Sequence, residues 1–514
     1  MNRPETRQAM SRSLGGATRR FPAWVLSILV LGTLLYAGLF VQAVSGSDYE
    51  LLQALTIAPV LIGLTVPVAL WIARTDQDPT LAGIVMAGVV LKLVGAYVRY
   101  YVAIEAYSRS DSRQYDEAGR ILAPELRRLV FSDQIGSTVG TGFIKLFTGI
   151  VYAVFGMSLP GGFFVFAWLG FLGLLIFTRA FRIGVPTGDP RRYLIAVLFV
   201  PTLVYWPSAI GKEAWMMLCI GITAYGVASV FRKRPSGVIA LGLGLLAMLM
   251  VRPHLTLIVF VGLAFALLVR RAPARTYAAP FFRLVGVVVL ALLGLYLASQ
   301  TAAFLDKPRA PVEGLSVSTI DAQLTNTQDQ TNDGGSSFNP VQVNNPLDMA
   351  PAFVTVFFRP FPFEASSVQE LASAAEGILL IGLLVASRRR LRSIPSLIRT
   401  TPYVAFCVGY LLAFTFAFSS FANFGILARQ RVQAIPFLLV FLALPLYQDL
   451  TNPPASPPPP RAVPEPIPNP ASPTRRRGRR PEHPRRTRTS VSSGASFPPP
   501  PRTGPSSDDP TATT

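Results

Sequence analysis

The sequence predicts an all-α fold: a polytopic transmembrane helix bundle of about twelve crossings, with external interfacial helices and a disordered C-terminal tail. Three observations carry that prediction. The 514 residues are 51% hydrophobic and only 14% charged, whereas a soluble domain carries roughly 25% charged residues. Long apolar runs recur along the chain, and several reach the roughly 20 residues that a helix needs to cross hydrocarbon. The runs are rich in Leu, Val and Gly, as in residues 238–250. They lack the alternation of a spanning β-barrel.

The net charge of +20 would suit nucleic acid, but the basic surplus lies in short loops and the tail. That is the distribution of the positive-inside rule, and no recognition module accompanies it. Nucleic acid is therefore not an expected partner; the lipid bilayer is. Cys219 and Cys407 both fall inside apolar runs and read as small core residues, with no disulfide framework or metal knuckle.

Taken in order, residues 1–20 form a basic cytoplasmic N-terminus. The apolar stretch 21–44 exceeds a signal-peptide core of about 7–15 residues. It reads as an uncleaved first helix, although Val41-Gln42-Ala43 loosely fits a cleavage site. The predicted crossings are 22–44, 51–73, 80–103, 160–181, 193–208, 213–231, 237–251, 255–270, 281–300, 371–387, 402–420 and 432–448. They make up a transmembrane domain over 21–450 with external loops at 104–159 and 301–370. A cytoplasmic N-terminus puts Arg179, Arg182, Arg191 and Arg192 inside. Arg232, Lys233, Arg234 and the run Arg388, Arg389, Arg390 and Arg392 land inside with them. Charge bias favours this orientation, with both termini in the cytoplasm of a multi-pass plasma-membrane protein.

Residues 141–156 (TGFIKLFTGIVYAVFG) are apolar but short, and they carry Lys145. As a crossing they would invert everything downstream, so they read as a helix lying at the outer interface. Residues 301–350 are rich in Asn, Gln, Asp, Ser and Thr. They read as a functional flap or a plain disordered loop. The tail, 451–514, is built of Pro, Ser, Thr and Arg and cannot bury enough apolar surface to fold. Its basic run suits anionic lipid head groups. Lys92 lies inside a predicted crossing, where charge costs at least about 2.5 kcal/mol. It should face the bundle interior.

The other set of breaks collects chemistry. Asp111 opens SRSDSRQYDEAGRIL. On a helix it shares a face with Tyr115 and Ala118, and Ile121 and Leu122 continue that face. A carboxylate at the outer mouth of the bundle could take a proton from a hydroxyl nucleophile, or it could simply cap the helix. In YWPSAIGKEAW, Pro207 and Gly211 break the helix. Membranes tolerate such a break where backbone is buried in protein or lines a wet cavity. Lys212 and Glu213 follow. They point to different faces, so they are not simply each other's ion pair, and Lys212 suits phosphate as a point charge. The alternative is interfacial anchoring by Trp206, Trp215 and a snorkelling lysine.

Arg252 and His254 flank Pro253 at a further break. A guanidinium fork beside a group that titrates near neutrality suits a pyrophosphate; an ordinary helix end is the other reading. A single His lacks the partners that a zinc site needs. In RPFPFE, Arg359 and Glu364 sit among Pro and Phe, and Glu364 rivals Asp111 as base. Arg429 and Arg431 follow Asn423-Phe424-Gly425 and run against the positive-inside trend. They fit a lipid-linked phosphate, or a structural salt bridge such as Arg429 to Glu364. No cofactor motif occurs. A divalent metal is compatible with this chemistry, but no external Asp, Glu and His cluster demands one.

The D-x-x-x-Y-x-x-A pattern of Asp111, Tyr115 and Ala118 resembles the GT-C superfamily of polytopic glycosyltransferases. The interfacial stretch ending in Val154-Phe155-Gly156 is similar to that superfamily too, and the likeness covers residues 81–181. It implies a loop acid as catalytic base, here Asp111, and a polyprenyl-phosphate sugar as donor. Ser112 follows Asp111 where the family often has an acid pair, and Asp116 and Glu117 come later. The W-P-S-x-x-x-K-E pattern resembles envelope-polysaccharide membrane proteins. RPFPFE and N-F-G-x-x-x-R-Q-R look like motifs of exopolysaccharide polymerases. Together these resemblances imply a glycosyltransferase or glycan polymerase of the cell envelope, with a glycan or lipid acceptor. A transporter or flippase of a lipid-linked glycan and an envelope-assembly scaffold are the competing classes. Against transport stand the missing internal repeat and the scarcity of mid-membrane charge.

Overall fold

The computed structural model describes residues 22–106, 110–130, 139–269 and 336–451. The basic segment 1–20, the predicted crossing 281–300, most of the segment 301–350 and the tail beyond residue 451 lie outside the described residues. The chain divides into the units Met1–Pro454 and Ala455–Thr514, and all that follows concerns the first.

Every regular element among the described residues is helical, apart from one isolated antiparallel bridge between Ser337 and Asn423. In chain order, α1 is Ala23–Ser45, α2 Tyr49–Asp76, α3 Thr80–Tyr101, α4 Asp111–Arg127, α5 Thr141–Phe155 and α6 Leu159–Gly184. Next come α7 Pro190–Phe199, α8 Pro201–Tyr205, α9 Lys212–Phe231, α10 Ser236–Leu249 and α11 Pro253–Val269. The last part holds α12 Met349–Phe358, α13 Val368–Ala386, α14 Arg388–Leu391, α15 Ile394–Thr400, α16 Pro402–Phe418, α17 Phe424–Arg431, α18 Ile435–Val440 and α19 Tyr447–Thr451. Short polar residues start several of them. Asp48 accepts from the Leu51 amide, Ser158 from Gly161, Asp189 from Arg192 and Asn423 from Ile426. Each satisfies one of the donors that a helix N-terminus leaves open.

Among the described residues six helices are long and apolar enough to cross a membrane: α1, α2, α3, α6, α9 and α13. The number rises to as many as 8 if each of two bent pairs is one span: α15 with α16, bent by 111°, and α17 with the segment Ile435–Ala443, bent by 55°. The predicted crossing 193–208 is not one helix. It is split into α7, α8 and a 3-10 turn at Trp206–Ser208, because Pro201 and Pro207 cannot continue the hydrogen-bond ladder. α5, at 15 residues, is too short to span and packs along α4.

Hydrogen bonds between helices gather at two ends of the bundle. At one end Arg182 pairs with Asp76, Arg191 with Asp78 and Arg390 with Asp189. Arg192 also donates to Ser387 Oγ, and Arg232 to the Ile183 carbonyl. At the other end Glu50 receives Arg120 and the Leu159 amide, and the Ser158 hydroxyl donates to the Glu50 carbonyl. The clusters that alternate in the sequence are therefore segregated in space.

Lys92 faces the interior and is 1% exposed. Its Nζ donates to the carbonyls of Leu203 at 2.7 Å and Val204 at 3.4 Å. No acid is needed, because the end of α8 leaves carbonyls without a partner in their own helix.

Candidate functional site

A cavity of about 370 Å³ opens at the second polar end. α3, α4, the break at Trp206–Gly211, α9, α13 and α17 supply its walls. The break positions α4. The Ser112 hydroxyl donates to the Ile210 carbonyl at 2.9 Å, and the Tyr115 ring lies beside Gly211. The buried residues of α4 are Ser112, Tyr115, Asp116, Gly119, Leu122 and Ala123. Of the predicted face, Tyr115 and Leu122 are buried, while Asp111 and Ile121, the latter 59% exposed, are not. Asp111 stands at the margin of the docked face, on the cavity wall, with its side chain 58% exposed. No side-chain cap bond forms at this helix start.

Asp111 belongs to a chain of charge. Arg429 donates from Nη2 to Asp111 Oδ2 at 3.2 Å. The same guanidinium grips Glu213 from Nε at 2.7 Å and from Nη2 at 3.2 Å. Arg252 reaches Glu213 from the other side at 2.6 Å, and its Nη1 donates to Gln430 at 2.7 Å. Gln433 also donates to Gln430, at 2.9 Å. Residues from four distant stretches of sequence meet here. Glu213, 5% exposed, is buried only because two guanidiniums flank it. Tyr115 is buried beside the group. Desolvation first, then the charges of Asp111 and Glu213, push its phenol up to about 12, so it stays protonated at neutral pH.

Other predicted site residues have different work. Arg359 and Glu364 pair with each other at 2.5 Å, and Glu364 also accepts from the Phe361 amide at 2.8 Å. The suggested pair of Arg429 with Glu364 is corrected accordingly: Arg359 lies five residues away and captures Glu364 first. Desolvation raises the Glu364 carboxyl, but Arg359 and the Phe361 amide outweigh it and leave a net shift below the usual range. Glu364 is not on the cavity wall. Arg359 also lies over the rings of Phe338 at 4.7 Å and Phe424 at 5.3 Å.

Arg431 is 1% exposed and donates to the carbonyls of Arg359 at 2.8 Å and Phe357 at 3.3 Å. It ties α17 to the end of α12. Arg252 and His254 do not form a joint anion fork. They are two positions apart at a helix start, so their side chains diverge. Arg252 turns to Glu213, while His254 packs 6.4 Å from the Phe418 ring. Lys212 is half-buried and makes no hydrogen bond or ion pair with another described residue. Neither Lys212 nor His254 lines the cavity.

Two wall residues carry functional groups that the sequence reading passed over. Glu370 accepts from the Ser366 amide at 2.7 Å and from its hydroxyl at 2.8 Å. Arg99 donates to the Tyr205 hydroxyl at 2.9 Å and lies over the rings of Tyr205 and Trp206 at 4.9 and 4.7 Å. The only signal for Arg99 was a single cation near the end of an apolar run. Among the described residues no group of three or more His, Cys, Asp or Glu is placed to hold a metal ion.

The fold and the cavity define a class: a polytopic helical membrane protein with a polar chamber at one end of its bundle. No protein-family model, curated protein or solved structure matches the chain.

Proposed function

We propose that this chain is a GT-C-like membrane glycosyltransferase or glycan polymerase. It moves sugar from a polyprenyl-(pyro)phosphate donor to a glycan or lipid acceptor of the envelope, on the external face of the plasma membrane. The observation that carries the reading is the exposed carboxylate of Asp111, held by Arg429 on the wall of a cavity of about 370 Å³. The wall mixes the hydroxyls of Ser110, Ser367 and Ser373 and the amides of Gln369 and Asn423 with the rings of Trp206 and Phe424. Hydroxyls, amides and flat apolar rings are what a sugar offers partners for: polar edges and apolar faces.

In this reading the acceptor hydroxyl gives its proton to Asp111. Its oxygen forms the new bond to the anomeric carbon. The carbon–oxygen bond to phosphate breaks, and the phosphate leaves with the electron pair. Arg429 orients Asp111, and positively charged donors near the leaving phosphate lower the barrier. Glu364 is not the base here, since Arg359 holds both its oxygens. We read six to eight crossings among the described residues; the expected twelve would need α10 and α11, at 14 and 17 residues, to cross as well. Both termini are read as cytoplasmic. Supporting this, the two polar ends alternate along the chain, and the arginine-rich end fits the positive-inside rule. The test is transfer of radiolabelled sugar from a polyprenyl-phosphate donor in membranes bearing the protein. Asp111→Asn should cut it by about 10²-fold or more at unchanged protein level, and transfer at the wild-type rate would sink the assignment.

Transport of a lipid-linked glycan is a second reading, favoured by one observation. The helix broken at Pro201–Ser208 has Lys92 buried against its carbonyls, and transporters build their sites on discontinuous helices. Movement of a labelled lipid across sealed vesicles without any sugar transfer would select this reading.

A further inference from the structure

Of Arg252, Arg359, Arg429 and Arg431, the arginines that the sequence singled out, none is unengaged. Arg252 and Arg429 hold Glu213, Arg359 holds Glu364, and Arg431 is spent on backbone carbonyls. Arg99 differs from all of them. It lies on the cavity wall, and among the described residues no carboxylate pairs with it. Its Nη1 donates to the Tyr205 hydroxyl, and its Nε is buried without a hydrogen-bond partner. A guanidinium has five N–H donors in a rigid fork, and that single bond to Tyr205 leaves most of them unused.

Its surroundings hold the fork still. The guanidinium lies over the rings of Tyr205 and Trp206, and both residues belong to the broken segment. Such cation–π contacts are stronger away from water. They hold the group in place on the cavity wall, and the donors that Tyr205 leaves unused can make charge-assisted bonds to an oxyanion. None of the described carboxylates on the wall pairs with it. Asp111 and Glu213 are held by Arg429, and Glu370 is bound by Ser366.

We propose that Arg99 is the phosphate-binding residue of this cavity and engages the phosphate oxygens of the ligand from its seat on Tyr205 and Trp206. The assignment rests on the reading of the cavity as a site for a phosphate-linked lipid sugar, and it names the group that meets the phosphate.

The test is equilibrium binding of undecaprenyl phosphate, and separately of inorganic phosphate, to the full-length protein in nanodiscs. Wild type is compared with Arg99→Gln and Arg99→Lys. Arg179→Gln is the control, since it removes another guanidinium stacked on a ring, Trp71 at 5.1 Å, away from the cavity. Arg99→Gln should weaken undecaprenyl phosphate by about tenfold or more, the loss of one charge-assisted hydrogen bond or more. Arg99→Lys should recover part of it, as a point charge without the fork, and Arg179→Gln should match wild type. Thermal unfolding identifies folded variants, and the Lys variant keeps the comparison valid if the Gln variant fails to fold. Equal binding by wild type and both Arg99 variants would overturn the role of Arg99 while leaving the lipid-phosphate reading intact. Arg99-dependent binding of inorganic phosphate as tight as that of the lipid would keep Arg99 and remove the lipid. No binding of either ligand by wild type would overturn both.

Discussion

Arg429 and Glu213 lie 216 residues apart and meet through two hydrogen bonds, at 2.7 and 3.2 Å. Arg252 completes the group on the same carboxylate. One acid thus holds two cations, and its removal is more disruptive than removal of either partner. Glu213→Gln should leave two guanidiniums facing each other and cost about 3–5 kcal/mol. Arg429→Met leaves the Arg252 bond in place and should cost less. Thermal unfolding in detergent checks the order, and equal losses would contradict it.

Asp111 presents the opposite case. Its side chain is largely exposed and its single pairing is with Arg429 at 3.2 Å. An exposed ion pair contributes about 0–1 kcal/mol. Asp111→Asn should therefore unfold at nearly the wild-type temperature while sugar transfer falls by about 10²-fold or more. A large drop in stability would instead make Asp111 a structural residue.

Tyr152 and Asp116 clamp the hairpin of α4 and α5. The Tyr152 hydroxyl donates to Asp116 at 2.5 Å, and Arg120 joins Asp116 to Glu50. Tyr152→Phe leaves one buried carboxylate oxygen without its donor, a cost of about 1–3 kcal/mol. Hydrogen exchange should accelerate in residues 111–127 and 141–155 before the rest of the bundle. Uniform acceleration would mean that the hairpin is not a separate unit.

Glu364 gives a pH dependence of definite sign. Arg359 and the Phe361 amide hold its carboxyl below the usual range. A depressed carboxyl pKa contributes stability above the unfolded value of about 4.3, and that stability is lost as pH falls through the folded value. The turn at residues 359–364 should loosen on acidification below about pH 4, seen as faster proteolysis there. In Glu364→Gln the turn should be loose at neutral pH and show no further acid step. An acid step that survives in Glu364→Gln would assign it to another group.

The all-helical architecture was legible because apolar length and composition are local properties. A run of roughly 20 apolar residues cannot satisfy its backbone in lipid except as a helix. The break at Pro201 and Pro207 was legible in part, since YWPSAIGKEAW marked the outer half of it. The start at Pro201 was hidden inside a predicted crossing, because it leaves the run apolar. Asp111 and the Lys212–Glu213 segment stood out as polar groups in an apolar chain, and α5 was too short to cross.

Pairing was decided only in three dimensions. The sequence singles out Arg252, Arg359, Arg429 and Arg431 together with several acids, but a charge carries no record of its partner. Which guanidinium meets which carboxylate depends on where α4, α9, α11 and α17 converge. That convergence consumed Arg252 and Arg429, a local turn took Arg359, and backbone carbonyls took Arg431, which left Arg99, an inconspicuous residue at the end of α3, as the cavity's unpaired cation among the described residues. Composition and period determined that the chain is a helical membrane bundle with two polar ends. Tertiary packing alone decided which charges are neutralised, because burial lets a charge persist only beside a partner.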